Sequence, residues 1–535
     1  QASACGPSPP HPGRIDPLSR SQPVVPIAAE AAPLSSRSRR PEVAGVSPKR
    51  SGGGQPGPVS SGALRLPLQR REVDGRSAAA VWGGPIRRPR TGPTDRTNFL
   101  QRVGTGRAPM DFDELDELDP VEVPDLGRDL AVIILGATGY TGSLMVEHLD
   151  ALVDLQPKAE QLKWGVAGRN LAKLKNVASH CRSCPQIFHV SDDAQLDHMV
   201  SKGRVVISAI GPYALCGEAV VEACVKNSTH YVDITGEVPW MYQMVQKYHA
   251  RAEELKTKIV LSAGNVCAPD EILCYSLVRT LGPLKDYREY FSQFGGISGG
   301  TLQTNITSLC SDEDGQIIAK DPFCLGGRGS KDRPEDLDCD QVEADSLYPS
   351  VYLAPAYNSS TGSRVLRRSA ELFAADLRYG QELRVVIREG HLQRAMAEQQ
   401  LQSFSTPKKE AADALLQARE RDQAPWPGFG PPKELRKLYG AEIIALAQAE
   451  SGHWAYARWT SGCAYEVSAM CAVCGALVLA EEAGGAGGVL TPAFAFHGTT
   501  WIDRLQEVPF ANRGGQKIAL EIHEGKPTEE ANRSS

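Results

Sequence analysis

Gly136-Ala137-Thr138-Gly139-Tyr140-Thr141-Gly142 places three glycines at intervals of three residues. Bare backbone N–H groups can approach a pyrophosphate where no Cβ intervenes, and each glycine has a physical use in such a loop. Gly136 permits a tight turn, Gly139 lets N–H groups reach the phosphates, and Gly142 lets a helix pack close to a sheet. The flanks agree. Leu130–Leu135 is a continuous apolar run of the kind that forms a central parallel strand, and Ser143–Leu149 continues with helical character. The N-terminus of that helix would add partial positive charge at the phosphates. Between strand and helix, the pattern reads as a dinucleotide fingerprint; the competing reading is a tight turn with no ligand.

The next strand bears on the choice of cofactor. Trp164–Gly168 runs into Arg169, where an NAD site usually offers Asp or Glu to the ribose hydroxyls. An arginine there is a bidentate partner for a 2′-phosphate, so NADP (NADPH) is the expected cofactor, with Gly168 and Arg169 among its contacts. Alternatively, Arg169 is a surface charge and specificity is loose. Further strands are expected at Ile187–Val190, with Asp192 meeting the adenine edge, and at 204–210, ending in Gly211-Pro212-Tyr213. Glu218–Lys226 reads as a helix, 230–234 as a strand ending in Thr235-Gly236-Glu237, 239–256 as a helix and 258–262 as a sixth strand. This alternation predicts an α/β fold with a Rossmann-type doubly wound parallel sheet. Ligands bind outside the carboxyl ends of such strands. Gly211, Pro212, Tyr213 and Glu237 therefore fall where nicotinamide and substrate would meet.

A proton donor is harder to find. No tyrosine has lysine four residues on, and Tyr242 to Lys247 is one residue too long. Tyr213, Glu237 and Tyr465 are the candidate catalytic groups, each with a structural hydrogen-bonding role as the alternative. The stretch 295–301 is expected to end a strand and open a helix facing the cleft. Ser298, Gly299, Gly300 and Thr301 would then contact substrate through backbone N–H groups, unless the stretch is only a flexible turn. Cys181/Cys184 and Cys471/Cys474 have C-x-x-C spacing, but structural zinc needs four converging ligands. The second pair lies in an apolar helix, where thiols fill core space. No metal is expected.

The elements that must position these residues sit in a chain of two unlike parts. Residues 1–109 hold 17 Lys and Arg against 6 Asp and Glu, and 17 of the 37 prolines. The rest carries 41 basic and 58 acidic groups, a balance of −17. The basic, Pro/Arg/Ser-rich leader is expected to be disordered. It reads as a transit peptide, as upstream sequence translated in error with Met110 the natural start, or as a regulatory tail. Residues 110–128 form an acidic lead-in, 129–275 the NADP-binding domain, and 276–510 a second α/β (α+β) domain for substrate or dimerisation. Residues 511–535 are expected to form a flexible tail. In the second domain, 442–448 and 454–459 read as strands. Residues 383–404 and 407–422 read as charged amphipathic helices, and 465–482 as a helix with Met470, Cys474 and Leu477 on one face. No run of 18 apolar residues occurs; Ala464–Ala480 comes nearest but contains Glu466. The scattered, odd set of 13 cysteines suits free thiols, and the acidic body argues against nucleic acid as a partner.

The motifs together resemble the saccharopine dehydrogenase-like oxidoreductases, a family that includes trans-acting enoyl reductases of bacterial lipid synthesis. The resemblance rests on residues 136–142, Val166–Arg169, Gly211–Tyr213 with Cys216-Gly217, Tyr231–Glu237, Ser298–Thr301 and Gly487–Ala493. It spans about residues 130–510, with a poorly matched middle. The family implies a Rossmann domain with a second α/β (α+β) domain inserted after the sixth strand, whose C-terminal helix is expected to return to the first domain, NADP-type cofactors and a link to lipid or glycolipid metabolism. In eukaryotes it implies lipid droplets, mitochondria or membranes. The chain departs from the family at Gly264-Asn265-Val266-Cys267-Ala268-Pro269, where Gly-Phe-Asp-Ser-x-Pro is usual. Residues 355–440 are polar, so insertion through the apolar hairpin of some animal members is not expected.

The resulting expectation is hydride transfer to a lipid-linked enoyl or imine substrate. Its setting would be the cytoplasm or the periphery of a lipid droplet or membrane, or an organelle if the leader is a transit peptide; a homodimer fits the second domain. Two alternatives stand beside it: a catalytically silent lipid-associated scaffold, and a saccharopine dehydrogenase of lysine metabolism. The latter would need an arginine cluster for carboxylates, which the sequence does not announce.

Overall fold

Leu130-Ala-Val-Ile-Ile-Leu135 is buried at every position, as a strand covered on both faces must be. It is β1 of a computed structural model that describes residues 127–527, apart from 158–160, 328–335, 339, 375–377, 382, 406–407, 483 and 508–517. The leader 1–109 and most of the acidic lead-in lie outside the described residues. From β1 the chain alternates through α1 (Tyr140–Asp154), β2 (Trp164–Gly168), α2 (Leu171–Ser179), β3 (Gln186–His189), α3 (Asp193–Val200) and β4 (Gly203–Ser208). It continues through α4 (Tyr213–Cys216), α5 (Glu218–Lys226), β5 (His230–Asp233), α6 (Val238–Glu254), β6 (Lys258–Val260) and α7 (Ala268–Leu281). The second part comprises β7 (Leu284–Phe294), α8 (Gly299–Leu309), α9 (Glu313–Lys320), β8 (Glu343–Ala344), β9 (Tyr352–Pro355), α10 (Ser359–Leu372) and β10 (Arg384–His391). Next come α11 (Arg394–Ser405), α12 (Lys408–Glu420), α13 (Lys433–Arg436), β11 (Gly440–Ala449) and β12 (Trp454–Ser461). The chain ends through α14 (Ala464–Glu481), β13 (Gly488–Leu490), α15 (Pro492–Phe496), α16 (Trp501–Glu507) and β14 (Ala519–Glu524).

The first sheet is parallel, in the order β13-β6-β5-β4-β1-β2-β3. Strand order reverses between β1 and β4, the switch point at which doubly wound sheets bind ligands. The second sheet is mixed, in the order β14-β12-β11-β7-β10-β9-β8, with β7 and β10 parallel. One apolar core joins the two: Val232 and Val260 of the first sheet, Ile272 of α7 and Tyr287, Ile387 and Ile443 of the second belong to it. Helix α14 packs on α1 and β4. By length and composition it could cross a bilayer, but it is 78% buried within the fold. Its buried residues run almost unbroken from Glu466 to Ala480, so the apolar surface covers the whole helix rather than one face.

Three expectations change. Residues 384–391 form a strand, not the start of a helix: Val385 and Ile387 face the core, while Arg384 pairs with Asp286 of β7. The charges suggested a helical face, but the Val-Val-Ile run is β-branched and decides the element. The tail expected to be flexible contains β14, which pairs antiparallel with β12 from Ala455↔Glu524 to Thr460↔Ala519. A boundary at 275/276 would cut α7, whose residues 268–278 are all buried. The first sheet is completed only after most of the second, when β13 pairs with β6.

Candidate functional site

The fingerprint loop has the geometry its glycines suggest. Gly136 has φ +90°, and a Cβ there would lie 2.9 Å from Ile210. At Gly142 a Cβ would stand 2.1 Å from the Gly136 carbonyl oxygen. Gly139 is the N-cap of α1 and supplies no capping side chain, which leaves first-turn N–H groups available to an external acceptor. A glycine-lined cradle at an uncapped helix N-terminus fits a dinucleotide pyrophosphate; Ala137, Thr138, Tyr140 and Thr141 complete the loop. Gly168 is buried and ends β2, with Arg169 exposed just beyond it. The Arg169 charge reaches the Cys216 thiol, pulling its pKa down against the larger upward effect of burial. Arg169 thus stands at the crevice edge, within electrostatic reach of the loop after β4. Asp192 is engaged locally: its carboxylate caps α3 by accepting from the Gln195 N–H at 2.8 Å.

Beyond β4 the Gly211–Pro212 peptide is cis and leads into α4. Buried Tyr213 donates its hydroxyl to the Ser208 carbonyl at 2.9 Å and accepts from the Ile234 N–H. Glu237 accepts from the Tyr213 N–H at 2.8 Å and the Ala214 N–H at 2.9 Å, with Thr304 Oγ1 3.4 Å away. Burial raises the Glu237 pKa, and the two N–H groups partly offset it. Both candidates lie at the crevice, but their polar atoms hold the loop together.

The second domain closes over the fingerprint. Ser298 caps α8, accepting from the Thr301 N–H, and its own N–H donates to the Tyr465 hydroxyl at 2.6 Å. Thr301 Oγ1 lies 3.1 Å from that same hydroxyl. The Tyr465 ring meets Tyr140 edge-on at 5.2 Å. Tyr140 in turn donates to the Pro431 carbonyl at 2.5 Å, and the Gly299 N–H to the Phe429 carbonyl at 2.8 Å. Residues 426–431 therefore strap the fingerprint to Ser298, Gly299, Gly300 and Thr301. Arg436 beside them is bonded to Glu466 and Arg419 to Gln303, so neither guanidinium stands ready for a carboxylate ligand.

Sequence reasoning missed the groups where the two sheets join. Asn265 lies past the end of β6, where the sequence departs from the expected Gly-Phe-Asp-Ser-x-Pro pattern. Its Nδ2 donates to Gln293 Oε1 of β7 at 2.8 Å, and its N–H to Ser468 Oγ at 3.0 Å. Tyr357, in the turn before α10, neighbours the Asn265 side chain and Tyr465. The departure at Asn265 was the one available signal; nothing in local spacing singled out Gln293 or Tyr357. Among the described residues, no group of three His, Cys, Asp or Glu side chains is arranged to hold a metal. Cys181 and Cys184 are free thiols, as are Cys471 and Cys474 inside α14.

Comparison with known proteins agrees with this geometry. Residues 132–260 match the model of the saccharopine dehydrogenase NADP binding domain. A lipid droplet localized protein of Caenorhabditis elegans is 34% identical over 33% of this chain and 44% of its own length. A saccharopine dehydrogenase-like oxidoreductase of Mus musculus is 32% identical over 34% of this chain and 43% of its own. A trans-acting enoyl reductase of Mycobacterium bovis is 28% identical over 37% of this chain and 50% of its own. The matched region thus spans about half the length of these relatives or less. Among solved structures, apo saccharopine dehydrogenase (L-Glu forming) of Saccharomyces cerevisiae aligns with 73% of this chain and 99% of its own, at 12% identity and TM-score 0.41. Over residues 132–260 the chain is thus similar to the NADP binding domain of saccharopine dehydrogenase.

Proposed function

We propose that the protein is an NADPH-dependent oxidoreductase that reduces a lipid-linked or otherwise apolar enoyl or imine substrate. The observation that carries this reading is the uncapped, glycine-lined N-terminus of α1 with Arg169 at the end of the neighbouring strand. The cradle suits a pyrophosphate, and the guanidinium a 2′-phosphate. Bound reduced nicotinamide would supply the hydride. The chain's residues hold the dinucleotide at the switch point, fix the loop after β4 through Glu237, and close the second domain over it through Tyr465 and the 426–431 strap. The engaged state of Arg419 and Arg436 favours a substrate recognised without carboxylate clamps, against saccharopine itself. The droplet-localized relative supports work at the periphery of a lipid droplet or membrane, and the second domain remains the candidate surface for a homodimer.

A silent scaffold is the second reading, favoured by the internal engagement of Tyr213 and Glu237. Fluorescence titration of the full chain with NADPH and NADH, repeated on Arg169→Asp, separates the two. The enzyme reading expects NADPH to bind at least tenfold tighter than NADH in the parent, and that preference to vanish in R169D. Absence of binding by either nucleotide leaves the scaffold.

A further inference from the structure

Within residues 353–359, six of seven positions are buried and Tyr357 alone is open, with 37% of its surface accessible. It is not on an outer face. Its ring lies 5.9 Å from that of Phe291, which is itself buried. Its hydroxyl adjoins the Asn265 side chain and neighbours Tyr465, Cys267 and Asp270. Its neighbours Asn265 and Cys267 follow the carboxyl end of β6, which places this partly open phenol at the ligand-binding end of the parallel sheet, on the nicotinamide side of the switch point. The other tyrosines of the site are occupied. Tyr213 serves Ser208 and Ile234, Tyr465 serves Ser298 and Thr301, and Tyr140 serves Pro431. Among the described residues no backbone group is bonded to the Tyr357 hydroxyl.

We propose that Tyr357 is the catalytic proton donor of this site, lying against the bound nicotinamide and the carbonyl or imine group of the substrate. The inference rests on the reductase reading above. When the substrate accepts a hydride from the reduced nicotinamide, an electron pair moves onto its oxygen or nitrogen. The Tyr357 O–H bond then breaks, the proton passes to that atom, and the electron pair stays on the phenolate. Solvent would reprotonate it, so that one proton from Tyr357 would join the one hydride that a bound reduced nicotinamide would supply. Asn265, held by Gln293, is the positioning residue: its amide adjoins the phenol and steadies the phenolate.

Tyrosine nitration of the full chain with tetranitromethane, mapped by mass spectrometry, tests the placement without turnover. Tyr357 is expected to react in the free protein and to be protected at least fivefold by saturating NADPH. Buried Tyr213, Tyr231, Tyr287 and Tyr379 should stay unmodified in both states. NADPH that binds yet leaves Tyr357 equally reactive overturns the proposal. If NADPH does not bind at all, the reductase reading fails first and this assignment with it. The role is tested with Tyr357→Phe and trans-2-decenoyl-CoA as probe. NADPH affinity should stay within twofold and KM within threefold while kcat falls at least a hundredfold. Parent-like kcat in Y357F overturns the donor role, and where the probe is not turned over the nitration map decides alone.

Discussion

At the scale of single residues, the site depends on groups that other residues cannot replace at no cost. Gly142 is the sharpest case, because a methyl group there would overlap the Gly136 carbonyl oxygen at 2.1 Å and neither backbone can yield without opening the fingerprint. Gly142→Ala is expected to destabilise the fold by about 2 kcal/mol and weaken NADPH at least tenfold; unchanged melting and titration curves would contradict this. Glu237 is a different kind of constraint. Glu237→Ala strands the buried Tyr213 N–H, costing about 1–3 kcal/mol, whereas Glu237→Gln keeps one acceptor and should lose less. Thermal melts of the pair should therefore rank parent, E237Q, E237A; an E237Q as unstable as E237A would mean that charge, not hydrogen bonding, holds the loop. The glycines could be read from sequence because their constraint is local, in one turn of backbone. Glu237 could be placed near the site but not given its task, since its partners lie 23 and 24 positions away. Tyr357 left no trace at all, because its openness is a property of the assembled fold.

Elements follow the same logic. The parallel strands were legible because burial on both faces demands continuous apolar runs, and β1 meets that demand at all six positions. Strand β10 was misread because Arg384 and Arg388 interrupt the pattern; only the neighbouring Asp286 on β7, absent from any local window, explains the charge at Arg384. Strand β14 escaped notice for a related reason. Its residues are mostly exposed, and what defines it is backbone pairing to β12. Glu521, His523 and Glu524 place polar and charged side chains along that outer strand, which discourages pairing with other chains. Truncation after residue 517 should therefore do two things. It removes Ile518, only 2% exposed, at about 1.5–3 kcal/mol, and it uncovers the β12 edge. Lower thermal stability with concentration-dependent light scattering is expected; a truncated chain as stable and monodisperse as the parent would show β14 to be dispensable.

For the molecule as a whole, the two sheets share a core that is apolar in bulk yet carries ionisable groups at its seams, and these set its response to pH. Glu271 of α7 accepts from Ser369 of α10 and from the Ala493 N–H beyond β13, so one carboxyl links three segments. Burial raises its pKa to about 7, against which the Ala493 N–H and the Ser369 and Thr491 hydroxyls act. The unfolded chain releases this proton near pH 4.3 and the folded chain only near 7. Between those values the folded state binds more protons, so this group's contribution to stability falls as pH rises and levels off above 7. The full effect is on the order of 3 kcal/mol. His148 and His230 oppose it, since burial lowers them to about 4 and about 3, and their contribution grows with pH up to about 6.5. A single melting curve of the parent therefore mixes both signs, and Glu271→Gln separates them. Its loss of acceptor oxygens lowers stability at every pH, but it should remove the decline assigned to Glu271. The melting temperature of parent minus variant should thus shrink from pH 5 to pH 8. A constant difference across that range would show that Glu271 is already ionised in the folded protein at pH 5, and that the seam holds it as a carboxylate.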